Sequence, residues 1–386
     1  MEHVSEVAKI LEGAIRHDPE QAISYGALLA DKLERTGNTR QATLIRNVIR
    51  KAPARNADGA SLDVVPRRPR DEDSKLATVD VSYPADGGEP WLHLSTRVLA
   101  QIEDFASSIE KRDVLQHRGI DIRPRLLLHG EPGTGKSSIA RAIAARLGLP
   151  LVTTRSDALV SSLLGQTSRN IREVFEYASR WPCVLFLDEF DALGKSRADT
   201  REVGELQRVV IALLQNMDAF ESAGVLVAAT NHPQLLDTAV WRRFDHVIQT
   251  ESPGESQREA IFRDVLGFLA PNDKDIHRLA QLADGLSGAG VRAAASDIAR
   301  AEVLAESESL HLAAAARRLA RFMLPDTLSR SGSFDSDSEI LALRTWAPDI
   351  FTYRNLADLF GISTRQVTNH LKEHHGGLPT HTPPAI

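Results

Sequence analysis

Cysteine is almost absent from this sequence of 386 residues, since Cys183 is the single one. One thiol cannot form an internal disulfide, which excludes the disulfide-stabilised secreted class and fits a reducing compartment. No apolar run approaches the roughly 20 residues that a membrane-spanning helix needs. The first residues also lack the pattern of a signal peptide. We therefore expect a cytoplasmic protein with no membrane partner.

An excess of positive charge is also missing, because the formal net charge is −6. This acidic balance argues against a general basic coat for nucleic acid, although a local basic surface is compatible with it. The length predicts two or three domains and is ample for a sizeable core.

Apolar residues recur at helical spacing near the N-terminus, as Val4, Val7 and Leu11 illustrate. We predict a helical module over residues 1–52, which could dock a partner or simply pack as an appendage. Five prolines then break every periodicity between residues 53 and 90. Such a composition predicts a linker.

From Trp91 onward, apolar strand-like runs alternate with helical stretches. The strand-like runs are 125–129, 150–153, 183–187, 224–229 and 246–249, and helical stretches at 136–147, 168–180 and 201–217 separate the first four. This alternation predicts an α/β fold with a mainly parallel, doubly wound sheet. A nucleotide is then expected at the carboxyl ends of the strands.

One glycine-rich segment, Gly130–Ser137, fits the pattern G-x-x-x-x-G-K-[ST] between an apolar run and a helix-like stretch. Its glycines let backbone N–H groups surround phosphate oxygens, and the following helix dipole favours the same negative charge. Lys136 is expected to reach the β- and γ-phosphates, and Ser137 to hold Mg²⁺. The predicted phosphate-binding residues are Gly130, Pro132, Gly133, Thr134, Gly135, Lys136, Ser137 and Ser138.

Polar side chains follow two of the later strand-like runs, 183–187 and 224–229. The run that starts at Cys183 ends in Asp188 and Glu189, and a later run ends in Thr230 and Asn231. Burying adjacent acids without partners is costly, so a function is expected for them. We predict that Asp188 binds Mg²⁺, that Glu189 activates the attacking water, and that Asn231 holds that water or the γ-phosphate.

Together these motifs resemble the AAA+ ATPases, over about residues 91–325. The resemblance implies the AAA+ P-loop fold, with a large nucleotide-binding subdomain over 91–252 and a helical lid over 253–328. It also implies ATP and Mg²⁺ as cofactors, with ATP hydrolysis as the reaction. In the family, a loop at Ser162–Thr167 contributes to the central pore, where the gripping position matches Leu163, and Gly194–Thr200 matches a second pore-facing loop.

The segment Leu236–Asp245 resembles the katanin- and spastin-type form of the family, because the Pro-Gly that usually precedes the last arginine is missing. By this resemblance Arg242 and Arg243 are arginine fingers, which complete the active site of a neighbouring subunit. A homo-oligomeric ring, most commonly a hexamer, follows. The alternative for these two arginines is an ordinary structural ion pair.

Residues 353–371 have the pattern of a helix-turn-helix, in a C-terminal domain predicted over 329–375, with a disordered tail over 376–386. Gly361 supplies the turn, and the exposed side chains of the second helix have the chemistry to contact DNA; they are Thr364, Arg365, Gln366, Thr368 and Asn369. Residues 344–375 carry four Lys/Arg against three acids, a net charge of only one, so phosphate attraction is weak. A helical protein-docking module is the alternative.

Three functions are consistent with these features. The leading one is an ATP-driven machine that remodels or regulates a protein or protein–DNA partner, whose identity the sequence leaves open. The second is a DNA-bound ATP switch or loader of the transposition-helper type. The third is a regulator that senses nucleotide and binds DNA without hydrolysis, against which the complete Asp188–Glu189 pair argues.

Overall fold

A computed structural model of the chain describes residues 4–15, 19–35, 37–50, 69, 77–84, 92–155, 164–191, 203–220, 224–307, 309–324 and 336–374. The chain divides into two compact units. The first comprises Met1–Leu92 with Thr96–Glu251, and the second comprises His93–Ser95 with Ser252–Ile386.

A six-stranded sheet forms the centre of the first unit. Its strands are β1 (Val79–Ser82), β2 (Arg125–Gly130), β3 (Leu151–Thr154), β4 (Val184–Leu187), β5 (Val225–Thr230) and β6 (His246–Thr250). They lie in the order β1-β3-β4-β5-β2-β6, and every neighbouring pair is parallel except β1 with β3. The predicted α/β fold with a mainly parallel sheet is confirmed.

The central strands are apolar along their length because both faces of the sheet are covered. On one face, Leu127 and Leu185 belong to a core that includes Val174 and Leu213. These last two come from helices that connect the strands, α7 (Leu164–Ser179) and α8 (Val203–Ala219). Alternate strand residues point to the other face, where α6 (Lys136–Leu147) contacts β3, β4 and β5.

Six further α-helices belong to the described residues of the first unit. Three lie near the N-terminus, α1 (Val4–Ile15), α2 (Pro19–Arg35) and α3 (Thr39–Arg50), inside the module predicted over 1–52. Leu29, Ala30, Leu33 and Ala42 form their small core. The others are α4 (Thr96–Glu110), α5 (Arg112–His117) and α9 (Thr238–Trp241).

The edge strand β1 lies inside the segment 53–90, for which the sequence predicted only a linker. Val79 is fully buried, and β1 pairs antiparallel with β3. Four residues with two valines at alternate positions make a strand too short to be recognised among prolines. The linker residues 53–68, 70–76 and 85–90 lie outside the described part of the chain, as do Leu163, residues 194–200 and the tail 376–386.

The second unit consists of helices within its described residues. Their bounds are α10 (Glu255–Leu266), α11 (Asp273–Leu282), α12 (Gly288–Leu304), α13 (Leu312–Met323), α14 (Ser336–Trp346), α15 (Tyr353–Phe360) and α16 (Thr364–His374). One hydrophobic core joins Phe262 of α10, Leu319 of α13, Leu343 of α14 and Leu356 of α15. The helices on either side of the predicted boundary at 328/329 therefore pack as one body, although that boundary itself lies outside the described residues.

The last two helices meet at a tight turn. Thr352 caps α15 by accepting the Asn355 N–H at 3.2 Å, and Gly361 ends it with φ 63°. Ser363 and Gln366 then cap α16 reciprocally, because Gln366 Oε1 accepts the Ser363 N–H at 2.9 Å and Ser363 Oγ accepts the Gln366 N–H at 3.3 Å. None of the described helices combines the length and the apolar character that crossing a membrane requires.

Candidate nucleotide-binding site

The segment that joins β2 to α6 packs tightly against the end of the neighbouring strand β6. Gly130 has φ 149°, and a Cβ at this position would lie 2.2 Å from the Thr250 carbonyl oxygen and 2.4 Å from its hydroxyl. No other residue type fits such a close approach without moving the backbone. Thr134 holds the loop from the other side, since its hydroxyl donates to Glu131 O at 2.8 Å and lies 2.7 Å from Thr250 Oγ1.

The loop ends at the start of α6 without any side-chain cap. Gly133 and Gly135 have positive φ values of 77° and 96°, which turn the backbone into the helix. Gly135 is the N-cap and has no side chain to accept the first N–H groups of α6. Those N–H groups, with the positive end of the helix dipole, are available to an anion. The arrangement suits phosphate oxygens.

Lys136 is buried at the first position of α6. Its ammonium donates to Gly130 O at 2.8 Å and to Glu131 O at 2.7 Å. Burial lowers the pKa of Lys136, and the nearby Asp188 carboxylate acts in the opposite direction. The charged group is thus held at the loop, where phosphate oxygens would be stronger acceptors than neutral carbonyls.

Ser137 and Asp188 lie together, as predicted. Ser137 Oγ donates to Asp188 Oδ2 at 3.1 Å, and the other oxygen, Oδ1, accepts the Glu189 N–H at 3.0 Å. A hydroxyl beside a half-buried carboxylate is the oxygen donor set that Mg²⁺ prefers, so these two residues fit the cation that the sequence predicted. Ser138, one residue further along α6, accepts from Arg141 at 3.3 Å.

Glu189 follows Asp188 in a conformation that residues with a Cβ rarely adopt. Its φ is 50°, and its side chain is exposed. The next residue fixes this turn, because the Phe190 N–H donates to Ala229 O of β5 at 2.8 Å and the Phe190 ring is buried. Backbone strain of about 1–3 kcal/mol held by such contacts is typical of functional positions. The Glu189 carboxylate makes no hydrogen bond or ion pair with any described residue.

Asn231 lies at the end of β5, next to the strand that carries Asp188. Its Oδ1 atom is buried and has no hydrogen-bond partner among the described residues. The preceding Thr230 is fully engaged, since its hydroxyl donates to Asp191 at 3.0 Å and accepts the His232 N–H at 3.0 Å. A buried amide acceptor without a partner calls for an explanation, and a bound water or ligand is the usual one.

The two predicted finger arginines have different surroundings. Arg243 is half-buried, with its guanidinium 3.3 Å from Asp218 and donating to Ala239 O at 3.3 Å. Arg242 is exposed, and its side chain makes no hydrogen bond or ion pair with any described residue. Arg243 thus takes part in an ion pair, which was the alternative for these two residues, whereas Arg242 has no such partner within the described part of the chain.

Several residues of this region were not predicted from the sequence. Thr250 closes the loop, Asp218 pairs with Arg243, and buried Arg125 donates to Met217 O at 2.7 Å and to Arg243 O at 3.3 Å. His129 lies against Trp241, with ring centroids 5.8 Å apart, and burial together with the Lys136 charge lowers its pKa. A signal existed only for Arg125, since a charge that opens an apolar strand must find partners.

A model of the family described as "ATPase family associated with various cellular activities (AAA)" matches residues 126–252. The chain is 45% identical to an uncharacterized AAA family ATPase of Sinorhizobium fredii over 156 residues, which are 40% of this chain and 46% of that protein. It is 32% identical to proteasome-activating nucleotidase 1 of Haloferax volcanii over 258 residues, 63% of this chain and 62% of that protein. The chain thus spans about half to three fifths of these relatives.

Solved structures of the same fold include the crystal structure of the FIGL-1 AAA domain, with a TM-score of 0.53 and 21% identity, covering 70% of this chain and 92% of that one. The E. coli MS115-1 HORMA:CdnC:Trip13 complex contains another, with a TM-score of 0.51 and 17% identity, covering 63% and 94%. Together with the family match over 126–252, these similarities mean that the chain carries an AAA ATPase domain in the AAA+ fold.

Proposed function

We propose that this chain hydrolyses ATP. The observation that carries the proposal is the convergence at one sheet edge of Lys136 on the glycine loop, Ser137 paired with Asp188, and the exposed Glu189 carboxylate. Lys136 and Ser137 open the helix after β2, and Asp188 and Glu189 follow the parallel strand β4, so all lie at the carboxyl ends of strands, where α/β folds bind nucleotides. The similarity to proteins named as ATPases and nucleotidases supports the same activity.

Each residue has a defined task in this proposal. The N–H groups of the loop and Lys136 bind the phosphate oxygens, and Ser137 with Asp188 would hold Mg²⁺, which neutralises charge on the β- and γ-phosphates when bound. Glu189 accepts a proton from the attacking water. The strained backbone of Glu189 directs its carboxylate away from the strand. Asn231 orients that water through its unpartnered Oδ1 acceptor, or the γ-phosphate through its Nδ2–H donor.

Lys136→Ala tests the binding half of the proposal. Loss of the ammonium should weaken ATP binding and remove measurable turnover, in a phosphate-release assay with Mg²⁺ present. Arg172→Ala is the matched control, because this exposed residue of α7 pairs only with Glu176 among its reported contacts, at 2.8 Å, and should leave turnover unchanged. Equal turnover in Lys136→Ala and the control would rule out this site as the ATPase.

We further propose that the active form is a ring of subunits, most commonly a hexamer in this family, in which Arg242 reaches the neighbouring site. Support comes from the exposed Arg242 side chain, in contrast to the Asp218-bound Arg243. Arg242→Ala subunits mixed into wild type should lower ATP turnover by more than their fraction, while size-exclusion chromatography reports unchanged assembly. A strictly proportional decrease would argue against action in trans.

A protein is the partner that we propose for this machine, since one relative is named a proteasome-activating nucleotidase. An unfolded model polypeptide should then stimulate ATP turnover by wild type. No stimulation by either folded or unfolded protein would favour the alternative of a DNA-bound ATP switch.

DNA contact by α16 is the second candidate, favoured by one observation. The helices α14, α15 and α16 pack together around Leu356 and Val367, and the turn at Gly361 leaves Arg365 and Asn369 exposed. Gln366, which the sequence predicted at the DNA surface, is used for the cap of α16 instead. DNA binding that weakens with salt and is lost in Arg365→Ala with Lys372→Ala would support this function; no binding at low salt would exclude it.

A further inference from the structure

We propose that Glu255, Glu259 and His277 bind a divalent transition-metal ion of the zinc class in the second unit. This site is separate from the nucleotide chemistry and does not depend on it. The two carboxylates lie one turn apart on α10, and the imidazole comes from α11, which packs against it. A bound ion would therefore join these two helices.

The distances suit a single ion. His277 Nδ1 lies 3.3 Å from Glu255 Oε1 and 2.7 Å from Glu259 Oε1, and the three atoms lie within 4.8 Å of one another. Ligand atoms about 2.1 Å from a tetrahedral zinc ion are about 3.4 Å apart. Of the three separations, that between His277 and Glu255 already has this value, and small rotations of the half-exposed side chains would bring the other two to it.

The second imidazole nitrogen also has a partner that can orient the ring. His277 Nε2 lies 3.0 Å from Gln281 Nε2, one turn later on α11, while Gln281 Oε1 accepts from Arg278 at 2.9 Å. An amide presents a donor or an acceptor according to its rotation. A flip of the amide, which gives up the bond to Arg278, would let it accept a hydrogen bond from Nε2–H. That orientation stabilises the tautomer whose Nδ1 lone pair points at the carboxylates, the arrangement usual for histidine ligands.

The charges of this cluster favour a cation. Two carboxylates one turn apart on a helix repel by about 0.2–0.5 kcal/mol. Arg263 offsets part of this at Glu259 Oε2, 4.0 Å away, but it is bound more closely to Asp273 at 2.6 Å. The oxygens nearest His277 face only the imidazole among the described contacts, so a neutral ring leaves them without a positive charge.

The donor set selects the type of ion. Imidazole nitrogen suits Zn²⁺, Ni²⁺ and Co²⁺, whereas Mg²⁺ and Ca²⁺ prefer oxygen donors alone. Side-chain exposures of 45% for Glu255, 25% for Glu259 and 52% for His277 leave a path for the ion and room for water as the fourth ligand. A protonated imidazole could also neutralise the carboxylates, and the experiment below separates that ion pair from a metal site.

The test titrates ZnCl₂ into the full chain, stripped of metal and free of nucleotide, by isothermal titration calorimetry. We expect one saturable site whose affinity falls at least 10-fold in His277→Ala and in Glu259→Gln. His311→Ala is the control, because His311 also faces a carboxylate in this unit, Glu302 at 3.7 Å, but has no third ligand nearby among the described residues. The control should bind like wild type, and Zn²⁺ should raise the unfolding temperature of both.

Two results would overturn the proposal. One is zinc binding of equal affinity in wild type and His277→Ala, which would assign the ion to another place. The other is an unfolding temperature of wild type that does not change with Zn²⁺ but rises as the pH falls through the histidine range. That result would identify a protonated His277 ion pair alone. Circular dichroism of His277→Ala and Glu259→Gln checks that these two variants are folded.

Discussion

The nucleotide site and the Glu255–Glu259–His277 cluster are assembled in different ways. The first is built around one continuous segment, Gly130–Ser137. Glycines allow its backbone conformation, and the segment packs against Thr250. The second is built from side chains on two helices, with Glu259 and His277 separated by 18 positions in the sequence. Backbone geometry limits substitution in the first, whereas side-chain chemistry limits it in the second.

Glycine substitutions measure this difference, and Gly130→Ala has the largest expected effect. A new Cβ would lie 2.2 Å from Thr250 O, in a backbone conformation with φ 149°. Strain and overlap together should cost about 3 kcal/mol or more of unfolding free energy and should also remove nucleotide binding. Urea unfolding and binding of a fluorescent ATP analogue measure the two effects.

The second unit supplies matched controls for that variant. Gly285 also has a positive φ, 85°, but nothing lies within 4 Å of its Cβ position, and Gly267 has neither constraint. Gly285→Ala should therefore cost about 1 kcal/mol through strain alone, and Gly267→Ala should change stability by less than about 1 kcal/mol. Equal losses in all three variants would contradict the close-approach explanation for Gly130.

An intermediate effect is expected for the ion pair that ties the C-terminal helices to the rest of the second unit. Arg317 of α13 binds Glu339 of α14 through two hydrogen bonds of 2.8 and 2.9 Å, and its guanidinium lies 4.4 Å from the Phe360 ring centroid. Arg317→Ala leaves the buried Glu339 carboxylate unpaired and should cost about 1.5–3 kcal/mol.

Chemical denaturation of the full chain measures that loss, and Arg300→Ala serves as the control. Arg300 pairs with Asp297 at 2.6 Å, but its side chain is 68% exposed, so its removal should cost less than about 1 kcal/mol. If the two variants lose the same stability, the Arg317–Glu339 pair does not stabilise the packing of α13 against α14.

The smallest effect concerns Cys183, which precedes β4 inside the first unit. The thiol is fully buried, and desolvation raises its pKa far above the ordinary value. Because the thiolate is the reactive form, iodoacetamide at pH 8 should label the folded chain at a negligible rate and the urea-unfolded chain completely. Mass spectrometry measures the label; fast labelling of folded protein would show that the amino ends of the strands open readily.

Much of the first unit was predictable because its chemistry follows buried strands. Runs that start near residues 125, 183 and 224 end in Gly130, Asp188 and Asn231, and parallel strands bring their carboxyl ends to one edge. The predicted helix 136–147 has the observed bounds of α6. In such a fold, residues that follow different strands in the sequence lie close together in space.

Residues that act across the fold were not predictable in this way. The antiparallel strand β1 is four residues long, and the contact of Thr250 with the glycine loop spans 116 positions. No sequence pattern predicted the Arg243–Asp218 pair or the Gln366 cap, because the local sequence does not determine which of several polar groups a side chain will contact. The Glu255–His277 cluster depends on how α10 and α11 pack, and that is decided by their apolar faces.

Glu189→Gln tests the central claim most directly. Without the carboxylate, the site should still bind ATP with an affinity within a few-fold of wild type, while turnover falls about 100-fold or more. Glu176→Gln, an exposed acid on α7, is the control and should hydrolyse ATP normally. Binding is measured with the fluorescent analogue and turnover by phosphate release. Undiminished turnover in Glu189→Gln would contradict the assignment of this edge of the sheet as the hydrolytic site.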